Sequence, residues 1–210
     1  MTKSVEILLF DDVELLDFAG PLEVFSVAGR RSGLEPYSVS TVAETTSAVR
    51  SRNGLVVQPT HSFADAPNRV HYFVIPGGFG TRPLLDRPIV LDWIRARAAS
   101  ADRVVSICTG ALLLGAAGLL NGVEATTHHQ AFDELRAAAP GALVVENRRW
   151  VDSGSIVTAA GVSAGIDVSL HLIATELGEA EARETARYIE YPWPADPGRV
   201  SAAADHPVGS

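Results

Sequence analysis

An α/β fold, in which helices cover both faces of a mostly parallel central sheet, is what this 210-residue sequence predicts. Two observations carry the prediction. First, an apolar run twice ends in a tight turn and then gives way to a helical pattern. Tyr72-Phe73-Val74-Ile75-Pro76 leads into Gly77-Gly78-Phe79-Gly80, and Val104-Val105-Ser106-Ile107 leads into Cys108-Thr109-Gly110. Strands apolar on both faces belong in a sheet covered on both sides, and successive βα units pair their strands in parallel. Second, the composition is 47% hydrophobic, with a mean hydropathy of +0.15, enough to fill a sizeable core.

Taken in order, Val5 to Phe10 is a first buried strand, closed by Asp11-Asp12. Pro21 suits the first turn of the next helix, with Glu23 at the favourable end of its dipole. Asp17 falls just before that helix. It reads either as a capping carboxylate or as a partly buried acid whose pKa desolvation would raise. Tyr37 to Ala43 alternates as a strand, and Ala48 to Gln58 as a hairpin turned at Arg52-Asn53-Gly54. Ser62 to Pro67 is a connector. Pro88 to Ser100 is a helix opened by proline, and Arg103 to Ile107 returns as a strand reaching Cys108. Beyond the apolar segment after Cys108 come a short strand from Glu124 to Thr127, a helix from Phe132 to Ala139, and strands at Leu143 to Val145 and Ile156 to Ala159. Helices from Ile166 to Leu177 and Glu179 to Glu190 finish the pattern. Residues 1–190 are thus expected to form one domain. Residues 191–210 form a proline-rich tail, which Pro192, Pro194 and Pro197 keep out of regular structure and which is expected to lie extended on the surface or on a partner subunit.

Net charge is −8, with no long basic run, so nucleic-acid binding is disfavoured. The pairs Arg30-Arg31, Arg95/Arg97 and Arg148-Arg149 read as solvated positions. No apolar run approaches the roughly 20 residues of a spanning helix, so no membrane contact is expected. A single cysteine excludes an internal disulfide, and with no signal-peptide pattern the expected compartment is the cytoplasm.

Cys108 stands where a strand turns into a helix, the place where open α/β sheets put their ligands. Ser106 to Gly110 has the small-x-nucleophile-x-Gly spacing of a nucleophile elbow. The helix's first free amides are expected to bring the thiol below the usual pKa of about 8.5. The alternative is an inert packing cysteine. Gly77 and Gly78, at the end of another strand, could bring backbone amides to an anion or oxyanion. Their spacing is no dinucleotide or phosphate signature. His128 and His129 lack a partner at zinc spacing, so no metal is expected, and His128 reads as a supporting or packing residue.

Together, Leu15-Leu16-Asp17-Phe18-Ala19-Gly20-Pro21, Ile75-Pro76-Gly77-Gly78, Ser106-Ile107-Cys108-Thr109-Gly110, Ala125-Thr126-Thr127-His128 and Gly161-Val162-Ser163-Ala164-Gly165 resemble the ThiJ/PfpI superfamily, of class I glutamine amidotransferase-like fold. Within it the pattern is most similar to the isocyanide hydratase group, through Asp17 in the early acid position and Cys-Thr-Gly at the elbow. The resemblance implies a flavodoxin-like three-layer sandwich, a homodimer, a small-molecule substrate and chemistry without a cofactor. It implies Cys108 as nucleophile, Asp17 as acid and base, Thr109 as a polar neighbour needed for activity and a substrate or oxyanion contact, and Gly78 as a source of backbone donors. Threonine in place of the histidine that follows the cysteine in the superfamily's proteases argues against proteolysis, because threonine cannot serve as the base of a Cys-His pair. The implied reaction is hydration of isocyanides to N-formamides through a thioimidate. Two alternatives remain open: a glyoxalase-like enzyme acting on α-oxoaldehydes, and a non-catalytic ligand or redox sensor related to the sensor domains of AraC-type regulators. The proline-rich stretch after Tyr191, where such regulators carry a helix-turn-helix domain, speaks against the second.

Overall fold

The computed structural model describes residues 2–194. In chain order its elements are β1 (Lys3–Leu8), α1 (Leu15–Val27), β2 (Tyr37–Ala43), β3 (Val49–Arg50), β4 (Val56–Val57), β5 (His61–Ser62), β6 (Val70–Ile75), α2 (Thr81–Leu84), α3 (Pro88–Ser100) and β7 (Ala101–Ile107). The second half adds α4 (Gly110–Ala116), β8 (Glu124–Ala125), α5 (Phe132–Ala138), β9 (Leu143–Val144), β10 (Trp150–Asp152), β11 (Ile156–Ala159), α6 (Ala164–Leu177) and α7 (Glu179–Tyr188). Seven strands form the main sheet in the order β10-β11-β7-β6-β1-β2-β5. Every neighbouring pair is parallel except β10 with β11. Helices α1, α6 and α7 pack together, α3 and α4 lie against β6 and β7, and α5 packs on α4. This is the predicted mostly parallel α/β sandwich. Among the described residues no helix is long and apolar enough to cross a membrane.

Apolar residues dictate this arrangement. The inner strands bury Val5, Ile7, Phe73, Ile75, Val105 and Ile107 almost completely. Burying such side chains stabilises the fold by about 1.5–3 kcal/mol each. The chain leaves β1 for β2 on one side and reaches β6 on the other. The carboxyl ends of β1, β6 and β7 therefore stand together at the point where the strand order reverses, which is where such sheets place a ligand.

Several expectations need correction. Helix α1 begins at Leu15, not Pro21, and Pro21 sits inside it. Proline has no N–H to give the carbonyl four residues earlier, that of Asp17, yet the apolar face of Phe18, Val24 and Phe25 holds the helix against the sheet. Asp17 thus belongs to the first turn of the helix and is no cap. The predicted hairpin exists as β3 and β4 but forms a separate two-stranded sheet. Strands β5 and β10 are too short to leave a pattern. Trp193 of the tail is buried, and residues 195–210 of the predicted tail lie outside the described residues.

Arg97 is buried, and Arg149 is only partly exposed and paired with Asp167. Arg97 is 6% exposed and donates from Nε to Glu6 Oε2 at 2.6 Å, pairing the buried carboxylate in β1. Burial pushes the Glu6 carboxyl up, and Arg97 opposes that shift. Arg97→Met is expected to cost about 3–5 kcal/mol, because it strands a buried carboxylate, whereas Glu6→Leu with Arg97→Met should recover most of the loss. Urea denaturation of the two variants checks this; equal losses would contradict it.

Candidate active site

The carboxyl end of β7 delivers Cys108 at φ 55°, in the left-handed region that non-glycine residues rarely enter. Its amide donates to the carbonyls of Ala159 and Ala160, at 3.1 and 3.0 Å, and its carbonyl accepts from Thr127 Oγ1 at 2.7 Å. These contacts lock the turn from both sides. Gly110 completes it, since a Cβ there would stand 2.1 Å from the carbonyl oxygen of Ile75. Neither backbone can yield, so Gly110→Ala is expected to cost about 3 kcal/mol, read as a lower denaturation midpoint; an unchanged midpoint would show the elbow to be adaptable.

Asp17 is brought to Cys108 by α1. It has no solvent exposure and lies close enough to the cysteine side chain for each group to shift the other's titration. Its Oδ2 accepts the Gly77 amide at 2.9 Å, while Oδ1 has no hydrogen-bond partner. Gly77 must be glycine for this approach, because a Cβ would meet Thr109 N at 2.5 Å and Asp17 Oδ2 at 2.9 Å. The Gly78 amide donates to Thr109 Oγ1 at 3.0 Å, and Thr109 Oγ1 also reaches the Gly78 carbonyl at 3.1 Å. The two glycines thus stand beside the cysteine, but their N–H groups hold Asp17 and Thr109. The backbone amides near enough to the thiol to favour its charged form are those of Thr109 and Val162.

The electrostatics differ from the sequence expectation in one respect. Burial pushes the Asp17 carboxyl up to about 7, against the pull of the Gly77 amide. Burial, reinforced by the Asp17 charge, pushes the Cys108 thiol up to about 12 rather than down. The two-turn helix α4 and the amides of Thr109 and Val162 favour the thiolate, but an apolar environment and an adjacent acid outweigh them. The pair therefore loses one proton near neutrality and keeps the second to high pH. Over that range a single proton belongs to both groups.

Above the pair opens a cleft of about 340 Å³ whose lining includes Cys108, Thr109 and Val162. Asp17 lies behind Cys108 and is not part of its wall. His128 lines the cleft, half-buried and packed on His129 with ring centroids 4.3 Å apart. Burial and His129 hold its pKa below the ordinary value, so it is a neutral wall group at pH 7. At the mouth, the exposed ring of Phe79 lies 3.9 Å from the Arg52 guanidinium carbon and 5.5 Å from that of Arg82. Arg82 is held by a two-pronged ion pair with Glu134, both contacts 2.9 Å. Among the described residues no group of three or more His, Cys, Asp or Glu side chains has the arrangement of a metal site.

Sequence reasoning missed Val162 and the arginines at the mouth. Val162 adopts φ 48°, a marked strain for a β-branched residue, and its amide also favours the charged form of Asp17. The flanking Gly161 and Gly165 were its only local signal. Arg52 reaches the mouth because the β3–β4 hairpin folds over it, which no local pattern reports.

The profile of the DJ-1/PfpI family matches residues 3–175. The chain is 39% identical over 197 residues to the isonitrile hydratase of Pseudomonas putida, covering 94% of this chain and 82% of that protein. It is 29% identical over 176 residues to the HTH-type transcriptional regulator GbdR of Pseudomonas aeruginosa, covering 84% of this chain but only 47% of the regulator. A ThiJ/PfpI family protein from Pseudomonas syringae superposes with a TM-score of 0.81 at 31% identity, covering 91% of this chain and 76% of that one.

Proposed function

The chain belongs to the DJ-1/PfpI family, and from that premise we propose that it hydrates isocyanides to N-formamides, with Cys108 as nucleophile and Asp17 as acid and base. The observation that carries this reading is the burial of Asp17 beside Cys108, which itself lines the cleft, so that the pair keeps one transferable proton near neutral pH. Isonitrile is another word for isocyanide, so the similarity to the Pseudomonas putida hydratase points the same way.

The chemistry needs one nucleophile and one proton carrier. With the shared proton on Asp17, the Cys108 thiolate attacks the terminal carbon of the isocyanide. That carbon takes the proton of Asp17, giving a thioimidate and a carboxylate. The carboxylate removes a proton from water, whose oxygen adds to the same carbon, and the nitrogen is then protonated from Asp17. Collapse forms the C=O bond and expels the thiolate. The hydroxyl proton returns to Asp17, and the product is an N-formamide. The Thr109 and Val162 amides stabilise sulfur whenever it is anionic. Thr109 Oγ1, tied to Gly78, fixes the turn.

Incubation with cyclohexyl or phenyl isocyanide should produce the matching formamide, followed by chromatography. No turnover above buffer would remove the proposal. The likeness to GbdR favours a second reading, in which the same cleft binds a small molecule without converting it. That reading predicts saturable binding of an isocyanide that is recovered unchanged.

A further inference from the structure

Val162 stands beside Cys108 in the cleft wall, its amide near the thiol, in a backbone conformation that a valine does not hold unaided. What holds it lies behind the cleft. Arg149 donates from Nη2 to Ser163 Oγ at 3.1 Å, and its guanidinium also ion-pairs with Asp167 in the first turn of α6. Asp167 has no solvent exposure, and its other carboxylate oxygen accepts from Tyr191 Oη at 3.0 Å. The carbonyl of Arg149 accepts the Ala160 amide at 2.8 Å. The turn carrying Val162 is thus gripped at Ala160, at Ser163 and at the start of α6. Part of that grip comes from a tyrosine beyond α7. A buried carboxylate with two partners is costly to disturb, so such an arrangement fixes geometry more firmly than apolar packing alone.

We propose that Arg149, Asp167 and Tyr191 form a clamp that keeps the Val162 turn, and its amide, beside Cys108, which makes them positioning residues for the reactive sulfur although none of them lines the cleft. The clamp rests on the reading of Cys108 as the nucleophile, but its test does not require isocyanide turnover. Iodoacetamide alkylation of Cys108, the only cysteine, reports sulfur ionisation directly. The charged or titratable groups around that sulfur are Asp17 and Glu14 near α1, Arg52 from the hairpin, and Arg82, Glu134 and His128 across the cleft. None of them is altered in the variants, so a displaced alkylation profile reports the amide.

Tyr191→Phe, which deletes one hydrogen bond, is expected to move the alkylation profile upward by about 0.4–1 pH unit. It should lower kcat about 3- to 10-fold with KM changed less than about twofold. Arg149→Met should do more. Arg149→Lys should recover part of the loss, because an ammonium can pair with Asp167 but cannot also reach Ser163 in the same fork. Thermal melts identify folded variants; should Arg149→Met fail to fold, Tyr191→Phe and Arg149→Lys decide. Alkylation profiles coincident with wild type in folded variants would overturn the clamp. So would activity lost only in proportion to the unfolded fraction. If the wild type does not turn over isocyanides, a displaced alkylation profile still supports the clamp and the failure falls on the proposed reaction alone.

Discussion

Replacing Cys108 by alanine is expected to lower kcat/KM for an isocyanide at least about a thousandfold, a loss of ~4 kcal/mol in transition-state stabilisation. The reason is chemical. Attack on the terminal carbon needs an electron pair at the end of β7, and alanine has none to offer. The fold should tolerate the change, because the elbow is held by backbone contacts to Ala159, Ala160 and Thr127 that do not involve sulfur. Loss of activity with a melting temperature close to wild type would therefore identify the thiol with the reaction. Acid quenching of wild-type turnover should also trap a protein heavier by the mass of one isocyanide, and that adduct should be missing in Cys108→Ala. Alanine that turns over as well as cysteine would place the reaction elsewhere or abolish it.

Why the elbow was legible while its electrostatics were not is a matter of sequence distance. The run from Val104 to Gly110 carries its own instructions: β-branched residues for a buried strand, a small turn residue, and a glycine where a Cβ would strike the Ile75 carbonyl. The helix after Cys108 was equally visible, and so its dipole was counted. Asp17 is 91 positions away and meets the sulfur only because β1 and β7 flank β6 in one sheet. Its effect on the thiol, together with burial, reverses the expected direction. Arg97 and Glu6 fail to show in sequence for the same reason, since a charged residue in an amphipathic helix looks solvated until its partner across the fold is known. Val162 is a third such case: valine is a poor choice for its backbone angle, and only the site accounts for it.

Asp17→Asn is expected to slow turnover about 10²- to 10⁴-fold, the usual worth of a positioned acid-base group, while leaving the nucleophile more ionised than before. The two results pull in opposite directions, which makes the variant informative. In the wild type the carboxylate charge raises the thiol's pKa, so asparagine should move Cys108 alkylation to lower pH. A sulfur that is more often thiolate and yet slower means that proton delivery, not ionisation, limits the reaction. Wild-type kcat/KM should rise with pH through about 7, as the pair sheds its first proton, and that limb should vanish in Asp17→Asn. Stability follows with a fixed sign. The folded pKa of Asp17 lies above its unfolded value of 3.8, so folding gains from its protonated form at low pH and loses that gain as pH rises toward 7. Asparagine escapes this loss. The variant should thus become more stable than wild type by a margin that grows from pH 4 to pH 7, reaches a few kcal/mol and is level above. Urea denaturation at pH 4, 6 and 8 measures the margin. A variant no more stable at pH 8 than at pH 4, relative to wild type, would mean that the carboxyl is not held at a cost by the fold, and the argument for a proton stored beside Cys108 would go with it.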